Sequence, residues 1–179
     1  VSTRLVILGL LKRQNLHGYE LKHIIEKHMG DWTKIAFGSI YFALGKLQKE
    51  GFVEPVETVS EGNRPSRTVY RITDSGEEEF LRLLRAVWSD PEQQYYSIDI
   101  GVGFMQALPA EEIRSLLVER VAVLASTVEY IRRHKEEQMT QPNVPRSARA
   151  IFDHGLAHTE AELEWTRSLL RDVEAGQLP

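Results

Sequence analysis

Lys46 and Lys49 stand three residues apart in the stretch TKIAFGSIYFALGKLQKE, Thr33 to Glu50. On a helix advancing about 100° per residue they share one face with Gly38, Ser39, Phe42 and Gly45. That face is small, polar and cationic, and no acidic residue interrupts it before Glu50. Ammonium groups beside small residues suit a close approach to a large polyanion, where each can meet a phosphate. The same lysines on an ordinary amphipathic helix would simply be solvated, so the pattern gains its weight from the residues C-terminal to it. The segment SEGNRPSR, residues 60–67, adds two cations, Arg64 and Arg67, among the turn formers Gly62, Asn63 and Pro65.

Other chemistry finds little support. His154 and His158 have the i, i+4 spacing of a helical metal pair, but no glutamate of an HExxH motif lies between them and no third ligand is evident. No metal and no cofactor is expected. Gly101-x-Gly103 neither follows an expected strand nor completes GxGxxG. Phe37-Gly38-Ser39-Ile40 is not a GxSxG elbow, and no serine has an evident base and orienting acid. The reading is therefore not an enzyme.

The elements that would position the cationic face are legible from periodicity. Thr3 to Gln14 and Tyr19 to Met29 repeat apolar residues at helical spacing, with Asn15-Leu16-His17-Gly18 as the break between them. The third helix, about 36–50, would bury Ala36, Ile40, Ala43, Leu44 and Leu47, and Gly51 would end it. FVEPVETV and TVYRIT read as two strands, the first at an edge because of Pro55. Three helices and a hairpin with a basic tip make a winged helix-turn-helix: one helix for the major groove and a wing (60–67) for the flanking backbone. Phe42 is unusual on such a helix. It could meet a thymine methyl or pack against a second copy.

The resemblance to the PadR family of bacterial transcriptional regulators rests on specific residues. They are Leu8-Gly9-Leu10-Leu11, His17-Gly18-Tyr19-Glu20-Leu21, Gly38-Ser39-Ile40-Tyr41 with Leu44 and Leu47, Gly51-Phe52-Val53, Arg67, Tyr70 and Ile72-Thr73-x-x-Gly76. The match covers roughly the first 80 residues in order. It implies DNA binding as a homodimer, with Tyr19 and Tyr41 touching phosphates. Where family members often carry Pro-Ser before the glycine of the third helix, this chain has Ile35-Ala36, so the N-cap serine is missing. Thr33 is a candidate to cap one turn earlier.

Composition sets bounds on these readings. The chain has 179 residues, 42% apolar and 27% charged, which suits a soluble globular protein of one or two domains. No run approaches the roughly 20 apolar residues of a membrane span, and Leu5 to Leu11 lacks the features of a signal peptide. The absence of cysteine excludes disulfides and thiolate metal sites and fits a cytoplasmic location. Net charge is −4, but residues 1–73 carry 11 Lys+Arg against 7 Asp+Glu, while residues 74–179 carry 11 against 19. Phosphate attraction depends on the local field, so an acidic second half is compatible with a DNA-binding first half.

The second half reads as helical. Asp74 and Glu77 are spaced as a capping box for a fourth helix, Tyr95 to Leu108 as a buried helix, and Pro109 as the first turn of a long one. Leu117, Val121, Leu124, Val128 and Ile131 form a heptad seam, and Phe152, Leu156, Leu163 and Leu170 belong to a second. Two long helices joined by a Pro-containing loop predict an antiparallel hairpin that pairs with another copy. Longer PadR-like proteins, including virulence-gene activators, imply the same arrangement. Trp88, Tyr95, Tyr96, Phe104 and Trp165 could line a pocket for a small aromatic effector or could be core and interface.

The expected fold is mainly α with a small β-hairpin. A winged-helix domain with connecting helix (1–91) precedes an antiparallel coiled-coil-like dimerisation domain (92–179). The partners expected are double-stranded DNA and a second copy, with no membrane; a small aromatic effector stays open as one reading of the aromatic set. The alternative is a winged-helix protein-interaction or ligand-sensing module that does not bind DNA.

Overall fold

The computed structural model describes residues 2–30, 33, 35–59, 67–91, 93–142 and 144–178. It divides into two units, residues 1–93 and 94–179. In the first, α1 (Ser2–Leu11) is followed by β1 (Leu16–His17), α2 (Gly18–Met29), α3 (Phe37–Lys49), β2 (Val53–Val59), β3 (Arg67–Ile72) and α4 (Asp74–Ser89). The second holds α5 (Ser97–Gly103), a 3-10 turn (Met105–Ala107), α6 (Ala110–Met139) and α7 (Arg146–Glu174).

The first core gathers one face from each helix. Ile7, Leu8 and Leu11 of α1, Leu21 and Ile25 of α2, and Ile40, Ala43, Leu44 and Leu47 of α3 are buried together with Val53 and Leu83. Ala36, expected on the buried face, is exposed; Ile35 packs against the core instead. The sheet has three strands rather than the expected two, in the order β1-β3-β2, all antiparallel. Leu16 pairs with Tyr70 and His17 with Val69, so the short break between α1 and α2 is itself tied to the hairpin. A two-residue strand carries no periodicity, which is why the sequence pattern does not reveal it. Pro55 lies on edge strand β2, beside a register shift between Pro55 and Glu57.

The helix starts depart from expectation in a consistent way. Thr33 does not cap α3: its backbone N–H and its hydroxyl both donate to the Met29 carbonyl at 2.9 Å, closing the end of α2. The cap of α4 is Thr73, whose Oγ1 accepts from the Gly76 N–H at 3.1 Å, so Asp74 is the first helical residue and not the cap. The same hydroxyl donates to the Gly51 carbonyl at 2.7 Å, and the Thr73 N–H donates to the Phe52 carbonyl at 3.1 Å. A Cβ on Gly76 would stand 2.0 Å from that Phe52 oxygen, so the close approach of α4 to the end of α3 requires glycine there. Gly51 itself has φ +79°, the left-handed residue that ends α3. Arg4 links these parts, with Nη1 at 2.6 Å from Glu50 and Nη2 at 3.4 Å from Glu79. The Arg82 hydrogen bond, helped by the charges of Arg82 and Arg4, holds the Glu79 carboxyl below its ordinary pKa.

In the second unit α6 and α7 form the expected antiparallel hairpin. Its ion pairs run in opposite chain order: Arg114–Glu174 at 3.9 Å, Arg120–Glu162 at 2.5 Å, Arg132–Glu160 at 2.5 Å and Lys135–Asp153 at 2.5 Å. Ile113 and Leu117 pack with Met105, Leu169 and Val173. Pro109 is the N-cap of α6 rather than part of its first turn. The Tyr95–Leu108 segment is not a buried helix. Glycines at 101 and 103 stop α5 after seven residues, and of this segment only Met105 is buried within its unit.

Candidate nucleic-acid interface

Burial of its apolar stripe leaves α3 with one uncovered face, the one that carries Gly38, Phe42, Lys46 and Lys49. A Cβ built on Gly38 or Gly45 meets nothing within 4 Å, so no part of the described chain stands over this face. Phe42 is 76% exposed, and neither Lys46 nor Lys49 makes an ion pair with another described residue. Both lysines lie in the last turn of α3, where the helix dipole favours cations.

The N-terminal end of α3 meets the start of α2 through aromatic rings. The Tyr41 ring lies against Gly18, where an added Cβ would be 2.6 Å from Tyr41 Cε1; only glycine leaves that space. Phe37 meets Tyr41 edge-on at 5.0 Å between centroids, and the Lys22 ammonium sits 4.5 Å above the Phe37 ring. Arg67, at the start of β3, places its guanidinium 5.5 Å over the Tyr19 ring. Tyr19 and Tyr41 are both about half exposed, at 54% and 46%. Helix α2 starts in a reciprocal cap: His17 Nδ1 accepts from the Glu20 N–H at 3.1 Å and Glu20 Oε2 accepts from the His17 N–H at 2.9 Å. This cap fixes the turn that presents Tyr19.

The structure thus brings Tyr19, Tyr41 and Arg67 to the start of α2 and Phe42, Lys46 and Lys49 to the outer face of α3. Arg64 and most of the wing, residues 60–66, lie outside the described residues. Ser39 is half-buried, and its hydroxyl donates to the Ala36 carbonyl at 2.5 Å rather than standing free. Lys22 and Phe37 escaped the sequence reading because each looks like an ordinary surface or core residue. The glutamate three residues after His17 was the available signal for the cap.

The residues expected to pair two copies are placed differently from expectation. Leu117, Val128 and Leu163 are buried within the hairpin, and Val121, Leu124, Ile131, Phe152, Leu156 and Leu170 are half-buried there. Each seam is covered in part by the other helix of the same chain. Of the large apolar residues that α6 leaves exposed, Leu116, Val123 and Tyr130 form a different row at spacing seven, and Val118 lies off it.

The five aromatic residues considered for an effector do not form one pocket. Tyr96 and Trp165 share a groove of about 630 Å³ with Leu124, Arg120 and His158. Trp88 lines a separate hollow on α4, while Tyr95 and Phe104 are exposed and line neither. In the Tyr96–Trp165 groove Arg120 donates from Nη2 to Glu162, and its buried Nε has no hydrogen-bond partner among the described residues. His154 and His158 approach to 3.1 Å between Nε2 atoms, and no group of three or more possible metal ligands occurs among the described residues.

A three-helix core, an antiparallel wing sheet and an uncovered cationic third helix define a winged helix-turn-helix protein. Residues 7–82 match the Transcriptional regulator PadR-like family. That match lies wholly within the first unit, residues 1–93. It is 24% identical over 174 residues to the negative transcriptional regulator PadR of Bacillus subtilis, covering 94% of this chain and 95% of that one. The fold matches crystal structures of Bacillus subtilis PadR with operator DNA (TM-score 0.76, 22% identity, 95% and 98% of the two chains) and with p-coumaric acid (0.77, 20%, 96% and 98%). It also matches the Vibrio cholerae virulence activator AphA (0.71, 19%, 97% and 99%). No helix among the described residues is long and apolar enough to cross a membrane.

Helix α3 starts at Ala36 with extended backbone (φ −69°, ψ 143°) and no side-chain cap. Ala36→Ser should therefore supply the missing acceptor and raise unfolding free energy by about 1 kcal/mol, measured by urea denaturation. A loss of stability instead would mean that the α3 start is not built as described.

Proposed function

We propose that this chain is a PadR-like transcriptional regulator that binds inverted-repeat operator DNA as a homodimer, with α3 in the major groove and Arg67 and the wing on the flanking backbone. The observation that carries the reading is the uncovered face of α3. Its two lysines have no ion-pair partner among the described residues, and the glycines beside them admit close approach. Tyr19 and Tyr41, both about half exposed, would donate their hydroxyls to phosphates beside the groove. The second unit, residues 94–179, carries 9 Lys+Arg against 13 Asp+Glu, so its net charge repels phosphate.

The test is binding across a salt series. Lys46→Ala and Lys49→Ala should each weaken binding without unfolding the chain, since both side chains are exposed. Each lost phosphate contact should lower the magnitude of the salt slope by roughly 0.9. Wild-type affinity and slope in both variants would place the contact surface elsewhere. A chain that binds no DNA at any salt would favour an interaction or ligand-sensing module instead.

A single winged helix has a small contact area, so useful specificity requires two copies in fixed relation, with half-sites about 34 Å or a multiple apart. The row Leu116, Val123 and Tyr130 on α6, with the half-buried edges of the seams, is the surface assigned to the second copy. Val123→Asp should leave the hairpin folded, because the side chain is exposed, yet yield monomers by light scattering and lose operator-specific binding. Dimers that persist would move the interface off this row. Leu163→Asp, by contrast, buries a carboxylate inside one chain and should unfold the hairpin itself.

The groove beside Tyr96 and Trp165 is assigned to a small aromatic effector. The Nε of Arg120, without a hydrogen-bond partner among the described residues, supplies a donor for an anionic group, and the complex of Bacillus subtilis PadR with p-coumaric acid supports the ligand class. Titration with p-coumarate should quench fluorescence from Trp165, and the quenching should disappear in Trp165→Phe. Quenching that survives in this variant would place the ligand elsewhere.

A further inference from the structure

We propose that Phe42 is a specificity-determining residue that reads the C5-methyl group of a thymine in the major groove of each half-site. The inference rests on the proposed DNA-binding function and adds to it the base that is recognised. Phe42 is 76% exposed, well beyond Phe37 (48%) and Tyr41 (46%) on the same helix, while Ile40, Ala43, Leu44 and Leu47 are buried. Its neighbours on that face at i−4 and i+3 are Gly38 and Gly45, and a Cβ at either would meet nothing within 4 Å. The benzyl group is therefore the large apolar feature of a face otherwise made of glycine and lysine. Lys46, one turn further on, stands beside it.

The geometry selects both the groove and the base. A helix with side chains is about 10–12 Å across, which suits the roughly 12 Å major groove and not the roughly 6 Å minor groove. In the major groove the four bases offer hydrogen-bond donors and acceptors, and thymine alone adds a methyl group. A phenyl ring can satisfy none of the polar sites without leaving them dehydrated, whereas it covers a methyl favourably. The flanking glycines let the helix backbone come near enough for a side chain of this length to reach the base edge, while Lys46 and Lys49 take phosphates. Tyr41, the adjacent aromatic residue, is turned against Gly18 and does not compete for the position.

The experiment uses the full chain and operators selected from random duplex DNA. Each thymine of the selected half-site is replaced in turn by deoxyuridine, which removes only the methyl group. At one position per half-site, wild-type affinity should fall about fourfold, the worth of one buried methyl. Phe42→Ala should bind the thymine operator correspondingly less well and show no further loss on uracil, while Phe42→Leu should retain part of the discrimination. Light scattering of Phe42→Ala should show an unchanged oligomeric state. The proposal is overturned if no uracil position matters, if uracil costs Phe42→Ala as much as wild type, or if Phe42→Ala dissociates the protein, which would assign the ring to a second copy. A chain that selects no DNA overturns the DNA-binding reading beneath it, so the two failures are distinguishable.

Discussion

The orientation of α3 about its own axis is the constraint on which the interface depends. Ile40, Ala43, Leu44 and Leu47 are nearly or wholly buried, and burying each of the larger side chains is worth about 1.5–3 kcal/mol. Rotating the helix to hide Phe42 would expose most of that stripe, a far greater loss than the gain from one ring. The lysines and glycines therefore face outward because the leucines cannot. Charge does not choose this orientation; it exploits it.

Two smaller devices hold the helix along its length. At its C-terminal end, Gly51 turns the chain and the Gly51 and Phe52 carbonyls accept from Thr73, tying the start of α4 to the end of α3. The absence of a side chain at Gly76 permits that approach. At its N-terminal end, α3 has no side-chain cap, and aromatic packing does the positioning: Phe37 and Tyr41 on each other, Lys22 over Phe37, Tyr41 against Gly18. The end nearer Tyr19 and Tyr41 is thus fixed by rings, and the end nearer Lys46 and Lys49 by hydrogen bonds.

Much of this was legible in the sequence, for physical reasons. The 3.6-residue stripe of α3, the Gly51 stop and the edge strand with Pro55 are local, and the structure has all three. What escaped was non-local. Strand β1 exists only because Leu16 and His17 meet Tyr70 and Val69, more than fifty residues away. Thr33 has the composition of a cap, but the Met29 carbonyl is nearer. The heptad seams announced a hairpin correctly, yet periodicity does not say whether a seam faces its own chain or another. Leu117, Val128 and Leu163 are buried by their own chain. The apolar density from Tyr95 to Leu108 suggested burial, whereas Gly101 and Gly103 break the helix and leave Tyr95, Ile100 and Phe104 exposed.

If the uncovered face of α3, with the start of α2 beside it, is the surface that meets DNA, its backbone must sense the duplex directly. Amide chemical shifts in two-dimensional 1H–15N NMR, followed as selected operator DNA is added, give that readout residue by residue. The amides of Gly38 and Gly45 on α3 and of Gly18 and Tyr19 on α2 should shift most, while those facing the α6–α7 groove around Arg120 and Trp165 should change little. Shifts concentrated on α6 and α7, with Gly38 and Gly45 unmoved, would contradict this placement of the DNA.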